Sequence, residues 1–374
     1  MRVVCASGLS VANVVREGEA PAEPLPRENV DLGSRLRRSV ALPSHQILCL
    51  PSRTPRMKVI VTDSSFPNLE IEESILRPTG AEFVTGQCKT RELLLPFVAD
   101  ANVVITQFAP ITAEVIAAMT KVRAIIRYGI GVDNVDLAAA KARGIAVANV
   151  PDYCIDEVAD QTLGFILGLT RQVVANSVVL KGGKWGLAAS IDQMCALRDR
   201  IVGVVGFGRI GREVVARLRA FKCRVIVFDP LVPASDIAAA GAVAGDLSTV
   251  LEQTDIVTLH CPSNAQTRGL IGREALSRMR KGALLINVAR GDLVDPAALM
   301  EALDSGHLGG AALDVFNPEP IPAGHAILGR DNVILASHIA SVSVPAVRKL
   351  RETVAQQAAM AVRGERMPNI VNGL

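Results

Sequence analysis

Residues 206–229 read GFGRIGREVVARLRAFKCRVIVFD, with three glycines at the spacing G-x-G-x-x-G and an aspartate at the end. The residues just before them, IVGVV at 201–205, form an apolar run that predicts a buried strand. The residues after the glycines, REVVARLRAF, have the apolar periodicity of a helix. A glycine-rich turn between a strand and a helix indicates a βαβ unit of a doubly wound α/β fold.

Each glycine of this turn has a separate expected role. Gly206 makes the tight turn, Gly208 lets the backbone approach a pyrophosphate, and Gly211 lets the helix pack closely on the strand. The helix N-terminus then offers free N–H groups and a positive dipole end to the phosphates. A glycine turn without any ligand is the alternative, and the surrounding strand, helix and acid favour the dinucleotide.

Asp229 lies 18 residues after Gly211, at the end of the next predicted strand. A carboxylate in that place accepts hydrogen bonds from both ribose hydroxyls of a dinucleotide. The same carboxylate would repel a 2′-phosphate. The sequence therefore predicts NAD as the cofactor in preference to NADP.

Ten apolar runs from Met57 onward alternate with helical patterns and predict parallel sheets covered by helices. They lie at 58–63, 102–108, 122–129, 145–150, 201–208, 224–229, 256–262, 283–290, 310–316 and 332–338. We expect two doubly wound sheets, bridged by a long helix from Glu157 to Lys181. A last helix at 345–365 could return to pack on the first domain.

These elements predict a domain organisation. A substrate domain is expected over residues 57–155 plus 343–374, and an NAD-binding domain over 156–342. Residues 1–56 are rich in proline and charge without a sustained period, so we expect a disordered or irregular N-terminal extension. An upstream extension of the reading frame and a regulatory tail are the alternatives, the former because Met57 directly precedes the first predicted strand.

The composition excludes several classes of function. The formal net charge of +3 and an aromatic content of 3% do not indicate a nucleic-acid partner. No apolar run reaches the roughly 20 residues that span a bilayer, so we expect no membrane partner. The seven cysteines are odd in number and contain no C-x-x-C pair, which favours reduced thiols in the cytoplasm. We expect no metal site.

An enzyme that uses nicotinamide on a hydroxy acid needs a cation for the substrate carboxylate and a general acid/base for the hydroxyl proton. In a doubly wound sheet these groups lie at the carboxyl ends of strands. Arg290 ends a predicted strand, and its guanidinium can bind a carboxylate bidentately and polarise a keto oxygen. A surface arginine is the alternative.

The acid/base is sought among only five histidines. His45 lies in the N-terminal extension, and His307 and His325 lie in turns or loops. His260 and His338 both end strands, and His260 falls where contacts to the adenine half are expected. We therefore predict His338 as the proton donor, against the alternative of a strand-end histidine without a catalytic role.

Two further groups are candidates for the same site. Glu319 follows another strand, and a carboxylate bonded to an imidazole stabilises the imidazolium; a loop glutamate on the surface is the alternative. The stretch RYGIGVDNVD contains the loop Gly129, Ile130 and Gly131, whose exposed N–H groups could bind the substrate carboxylate, with Arg127 nearby.

From about Met57 to the C-terminus, the chain resembles the D-isomer-specific 2-hydroxyacid dehydrogenases. The resemblance rests on eight motifs in order: RYGIGVDNVD (127–136), NVPDYCIDEVADQTLG (149–164), VGFGRIGREV (205–214), VIVFDP (225–230), LHCPSNAQTRGLIG (259–272), LLINVARGDLVD (284–295), AALDVFNPEP (311–320) and SHIAS (337–341). It implies a Rossmann NAD-binding domain inserted in a flavodoxin-like substrate domain. It also implies a homodimer formed through the NAD-binding domain.

The resemblance implies roles for particular residues. Arg290, Glu319 and His338 match the family's catalytic set. Asp314 is expected to face the nicotinamide amide. Further cofactor contacts are implied for Thr162, Phe207, Arg209, Ile210, His260, Cys261, Pro262, Val288, Ala289 and Ser341.

Three branches of the family share these motifs, and the sequence departs from them at two positions. Ser337 stands where a proline usually precedes the catalytic histidine, and Ser341 stands where the corepressor branch has a tryptophan. The leading hypothesis is an NAD-dependent D-2-hydroxyacid dehydrogenase acting on a small 2-hydroxy or 2-keto acid, with 3-phosphoglycerate as the first candidate substrate. A glyoxylate/hydroxypyruvate reductase and an NAD-sensing binding protein, similar to the C-terminal-binding-protein corepressors, are the alternatives.

Overall fold

The computed structural model describes residues 56–189, 191 and 194–374. The N-terminal extension predicted for residues 1–56 lies outside the described residues except for Arg56. His45 lies outside them as well. The interpretation of that extension therefore stays a prediction.

The first sheet has five parallel strands in the order β2-β1-β3-β4-β5. This is the flavodoxin-like order, in which the direction of strand addition reverses between β1 and β3. The strands are β1 Lys58–Val61, β2 Glu82–Thr85, β3 Val103–Thr106, β4 Ala124–Arg127 and β5 Ala146–Ala148. One face packs on α1 Glu70–Leu76 and α12 Val344–Arg363, and the other on α2 Arg91–Val98, α3 Ala113–Ala118 and α4 Leu137–Ala142.

The second sheet has seven parallel strands in the order β12-β11-β10-β9-β6-β7-β8, and strand addition reverses between β6 and β9. The strands are β6 Ile201–Val205, β7 Arg224–Phe228, β8 Val243–Ala244, β9 Ile256–Leu259, β10 Ala283–Asn287, β11 Leu308–Leu313 and β12 Val333–Leu335. One face packs on α5 Ile155–Thr170, α7 Arg209–Ala220 and α8 Ala234–Ala239, and the other on α9 Leu247–Gln253, α10 Arg273–Arg278 and α11 Pro296–Asp304.

The predicted fold class is confirmed, because both sheets are parallel and covered by helices. Each of the ten predicted strands overlaps a strand of the structure, which usually ends earlier than predicted. Sequence patterns missed β2 and β8. Both are edge strands that carry exposed residues, so neither shows the continuous apolar run of a buried strand.

The prediction of one continuous helix from Glu157 to Lys181 is wrong. The helix α5 ends at Thr170, and a second helix, α6 Val173–Lys181, leaves at an angle of 60°. Gln172 between them has a left-handed backbone with φ of 53°, which ends the first helix. No single helix among the described residues is long and apolar enough to cross a bilayer, although α5 and α6 together meet the length and composition required.

A buried ion pair fixes α12 to the first sheet. Glu72 on α1 is fully buried and accepts hydrogen bonds from Arg351 Nε at 2.9 Å and Nη2 at 2.7 Å. The Tyr128 hydroxyl donates to the same carboxylate at 3.0 Å. The helix α12 thus follows the second sheet in sequence and packs on the first in space.

Candidate active site

A cleft of about 490 Å³ lies where the carboxyl ends of strands from both sheets meet. This is the edge at which open α/β sheets bind ligands. Fifteen of the predicted site residues line it: Arg127, Ile130, Gly131, Gly208, Arg209, Ile210, His260, Cys261, Pro262, Val288, Ala289, Arg290, Asp314, His338 and Ser341. Most of the predicted site residues therefore lie around one cleft.

The glycine turn joins β6 to α7, at the point where strand addition reverses. Gly206 has φ of 97°, and a Cβ there would lie 2.6 Å from the backbone nitrogen of Cys261. A Cβ on Gly211 would lie 2.2 Å from the Gly206 carbonyl oxygen, so the helix could not approach the strand. Gly208 faces open space, with nothing within 4 Å of its added Cβ. The turn therefore leaves room for a diphosphate at the N-terminus of α7.

Asp229 directly follows β7 and holds this turn. Its Oδ2 accepts a hydrogen bond from the Phe207 N–H at 2.7 Å, and its Oδ1 accepts one from the Leu231 N–H at 2.8 Å. Each carboxylate oxygen has a second lone pair that a ribose hydroxyl can use. The Phe207 side chain is fully buried in the core, so only its backbone faces the turn.

Thr162 is the predicted site residue that the geometry favours least. It is fully buried within α5, and its hydroxyl donates to the Val158 carbonyl at 2.7 Å. Its contact with a cofactor stays a prediction. Gly129 is not among the residues that line the cleft, and an added Cβ there would collide with the Arg127 guanidinium.

Arg290 lies three residues after the end of β10 and reaches toward the first sheet. Its Nε donates to Asp133 Oδ1 at 2.9 Å, and its Nη1 donates to the Ala289 carbonyl at 2.6 Å. A Cβ on Gly131 would lie 1.7 Å from Arg290 Nη2, so the absence of a side chain there makes room for the guanidinium. The remaining N–H groups of Arg290 can bind a carboxylate.

His338 and Glu319 form a hydrogen-bonded pair. The imidazole Nδ1 lies 2.9 Å from Glu319 Oε2, and Glu319 Oε1 accepts the Phe316 N–H at 2.7 Å. This arrangement fixes the carboxylate on one side of the ring and leaves Nε2 to act in the cleft.

Asp314 sets the turn that carries His338. Its carbonyl accepts the His338 N–H at 2.7 Å, and its two carboxylate oxygens accept the N–H groups of Ile339 and Ala340, each at 2.9 Å. His338 itself has a left-handed backbone with φ of 56°. The buried aspartate therefore stabilises the backbone conformation that presents the imidazole.

The two carboxylates near His338 differ in acidity. Burial raises the pKa of Asp314, and the N–H groups it accepts only partly oppose this effect. Burial also acts to raise the pKa of Glu319, but the hydrogen bonds from His338 and the Phe316 N–H outweigh it, so the pKa is lowered. Glu319 is thus held as the anion that stabilises a charged imidazole.

The other histidines of the described residues have structural partners. Burial lowers the pKa of His260 to about 3, so this ring is neutral, and its Nε2 lies 2.9 Å from the Thr258 hydroxyl. His307 contacts the Leu276 carbonyl, and His325 Nδ1 accepts the Ile327 N–H. His338 is therefore the histidine best suited to carry a proton in this cleft.

Arg127 is the last residue of β4 and is nine-tenths buried. Burial, together with the positive charge of Arg290, lowers the pKa of its guanidinium to about 10. Its Nε has no hydrogen-bond partner in the part of the chain that the structure describes. A buried cation with an unused donor is suited to an anionic ligand.

Sequence reasoning assigned no role to ten residues that line the cleft, and two of them, Asp133 and Tyr153, carry polar groups that affect it. Asp133 lies inside the quoted motif RYGIGVDNVD, yet its partner Arg290 is 157 positions away and could not be recognised from spacing. Tyr153 also lines the cleft, and burial raises its pKa to about 12, so it is a neutral hydroxyl there. No local pattern distinguishes it from a core aromatic residue.

Comparison with known proteins identifies a family and several relatives that this chain resembles. Residues 163–340 match the family model described as D-isomer specific 2-hydroxyacid dehydrogenase, NAD binding domain. The chain is 37% identical over 319 residues to D-3-phosphoglycerate dehydrogenase of Methanocaldococcus jannaschii, an alignment that covers 84% of this chain and 59% of the relative. It is 36% identical over 294 residues to glyoxylate reductase of Thermofilum pendens, covering 76% of this chain and 85% of the relative.

Among solved structures, D-lactate dehydrogenase from Aquifex aeolicus, complexed with NAD and lactic acid, matches with a TM-score of 0.78 and 25% identity. That match covers 85% of this chain and 99% of the other. The chain spans about three fifths of the phosphoglycerate dehydrogenase relative and most of the other two. The glycine turn, Arg290 and His338 thus lie in a fold that these proteins share with nearly the whole described chain.

Proposed function

The chain belongs to the D-isomer-specific 2-hydroxyacid dehydrogenase family, and from this membership we propose that it is an NAD-dependent D-2-hydroxyacid dehydrogenase. The observation that carries the proposal is the 2.9 Å hydrogen bond between His338 and Glu319 in the cleft that also contains Arg290 and the glycine turn. These groups supply a proton, a carboxylate site and a dinucleotide site together.

NAD fits the residues present, because the N-terminus of α7 and the space at Gly208 suit a diphosphate. Asp229 would bind the adenosine ribose, and residues 260–262 and 288–290 would border the rest of the dinucleotide. When bound as NADH, the cofactor supplies a hydride to the keto carbon. The chain's own residues must then hold the keto acid and deliver a proton.

Arg290 would bind the substrate carboxylate and polarise the keto oxygen. The N–H groups of Ile130 and Gly131 would support the same carboxylate from the first sheet. His338 would donate its Nε2 proton to the keto oxygen as the alkoxide forms, while Glu319 stabilises the charged ring. In the direction of oxidation the neutral imidazole would accept that proton.

An NAD-sensing binding protein of the corepressor type is the rival. The complete set of Arg290, Glu319 and His338 favours the enzyme, because binding alone does not need a proton donor. The test is NADH consumption by the full-length protein with a panel of 2-keto acids that includes 3-phosphohydroxypyruvate, glyoxylate and pyruvate. NADH binding without consumption of any acid would favour the rival.

We also propose the domain division at residues 155/156 and 342/343, and a homodimer formed through the NAD-binding domain. The support for the dimer is an apolar surface on α6 and the segment after it, where Val178 is 63% exposed and Trp185 is 94% exposed. The dimer is tested by comparing the sedimentation of the wild type with that of Val178→Asp. A monomeric wild type would contradict the proposal.

A cytoplasmic location is proposed on the chemistry of the thiols. The cysteines that the structure describes are free of disulfides, as expected for a reducing compartment. They are Cys88, Cys154, Cys195, Cys223 and Cys261.

A further inference from the structure

Phe108 lies beside the proposed proton donor. Its ring centroid is 6.1 Å from that of the His338 imidazole, and the two rings meet edge to face. The residue follows β3, next to the point where strand addition in the first sheet reverses. Its side chain is 46% exposed. An apolar ring facing open space beside a catalytic imidazole is placed to contact a substrate.

The loop that carries Phe108 is held rigidly. Asp63 is fully buried after β1, and its carboxylate accepts the N–H groups of Gln107 at 3.1 Å, Phe108 at 2.8 Å and Ala109 at 3.2 Å. The side chain of Gln107 is bound in turn to Ser65, through its Oε1 at 2.6 Å and its Nε2 at 3.0 Å. Because Gln107 is bound to Ser65, Phe108 is the exposed side chain that this loop places beside His338.

The charges of the cleft suit one substrate anion rather than two. The arginines that line it, within the described residues, are Arg127, Arg209 and Arg290. Arg209 begins α7 at the dinucleotide turn, and Arg290 is already paired with Asp133. Arg127 and the unused N–H groups of Arg290 remain, which is enough for one carboxylate.

We propose that Phe108 determines substrate specificity, and that the preferred substrates are 2-keto acids with an uncharged, apolar group on C3. The ring would pack on that group while Arg290 and Arg127 hold the single carboxylate. A phosphoryl group on C3 would meet the apolar ring and find no arginine of its own. This inference rests on the proposed function and names the substrate class of the same site.

The test compares kcat/KM for NADH-dependent reduction of three acids by the full-length protein. They are 2-ketoisocaproate, which is apolar at C3; 3-phosphohydroxypyruvate, which is charged there; and glyoxylate, which has no C3. We expect the wild type to favour 2-ketoisocaproate over 3-phosphohydroxypyruvate by about tenfold or more, as apolar pockets discriminate on this scale. Phe108→Ala should lower kcat/KM for 2-ketoisocaproate by about 10- to 100-fold and for glyoxylate far less.

Phe108→Arg should reverse the preference toward 3-phosphohydroxypyruvate, because it supplies the missing cation. Phe221→Ala is the matched control, since Phe221 is 41% exposed at the end of α7, whereas the aromatic ring beside His338 is that of Phe108. NADH binding followed by fluorescence establishes that each variant is folded.

Two results would overturn the inference alone. One is a wild type that prefers 3-phosphohydroxypyruvate, and the other is a Phe108→Ala variant that loses activity equally on all three acids. A wild type that reduces none of them, glyoxylate included, would overturn the proposed function and this inference with it.

Discussion

Replacing Glu319 by Gln tests whether the carboxylate behind His338 contributes to proton transfer. The variant preserves the shape of the side chain and removes its charge. Since the Phe316 N–H donates to Oε1 at 2.7 Å, the amide oxygen of Gln would keep that place. The amide NH₂ would then face His338 Nδ1, which lies 2.9 Å from Oε2 in the wild type. A charge-assisted hydrogen bond to the imidazolium would thus be lost.

The size of the effect follows from that bond. Hydrogen bonds to charged groups contribute about 1.5–3 kcal/mol, which corresponds to a loss of about 10- to 150-fold in kcat/KM. The side chains of His338 and Glu319 are 30% and 33% exposed, so solvent screens the pair only in part. When the affinities for NADH and NAD are unchanged, kcat/KM must fall by the same factor in both directions at a given pH, because the equilibrium constant of the reaction is unchanged.

The dependence on pH has a definite sign. The hydrogen bonds of Glu319 lower its pKa, against the effect of burial. Its negative charge therefore persists to a pH below the ordinary titration range of a glutamate, and is lost only when the pH falls through the lowered pKa. In Glu319→Gln the imidazolium loses this support, and reduction should decline at a lower pH than in the wild type. The assay is the initial rate of NADH consumption across pH, with Glu274→Gln on the exposed surface of α10 as the control.

A Glu319→Gln variant with the rate and pH profile of the wild type would refute the role given to this carboxylate. A variant that also loses NADH affinity would instead indicate a disturbed fold, and Glu319→Asp would then be needed to separate charge from structure.

Three further predictions concern the site and its support. His338→Gln should lower kcat by about 10²-fold or more with NADH affinity nearly intact, and a normal rate would remove this histidine from the mechanism. Asp229→Ser should weaken the affinity for NADH and improve the affinity for NADPH relative to it, as measured in parallel titrations. An unchanged ratio of the two affinities would mean that the ribose is held elsewhere. Arg351→Met should lower the free energy of unfolding in urea by about 3–5 kcal/mol, because Glu72 is left buried and unpaired. Adding Glu72→Leu should recover much of that loss, and no recovery would contradict the buried-charge explanation.

Local patterns in the sequence accounted for the parts of the molecule that depend on neighbouring residues. The glycine turn and the ten strands are of this kind, since apolar runs and glycine spacing act over a few positions. His338 could be chosen because few histidines end strands. The helix break at Gln172 was not predicted, because a left-handed glutamine has no apolar signature.

Contacts between distant segments could not be predicted in the same way. Asp133 meets Arg290 only because the two sheets face each other across the cleft. Phe108 and His338 lie 230 positions apart in the sequence. They come together because the two sheets face each other across the cleft. Candidates for the reacting groups could thus be proposed from the sequence, whereas their partners required the fold.

The position of α12 has a consequence for biosynthesis. Its 20 residues follow every strand in the sequence, yet they complete the core around β3 and β4, which the ribosome produces much earlier. The strands of the second sheet are all synthesised before α12 is available. Nascent chains should therefore finish the dinucleotide-binding half first and keep the earlier half incomplete until α12 has been synthesised, when Arg351 can reach Glu72.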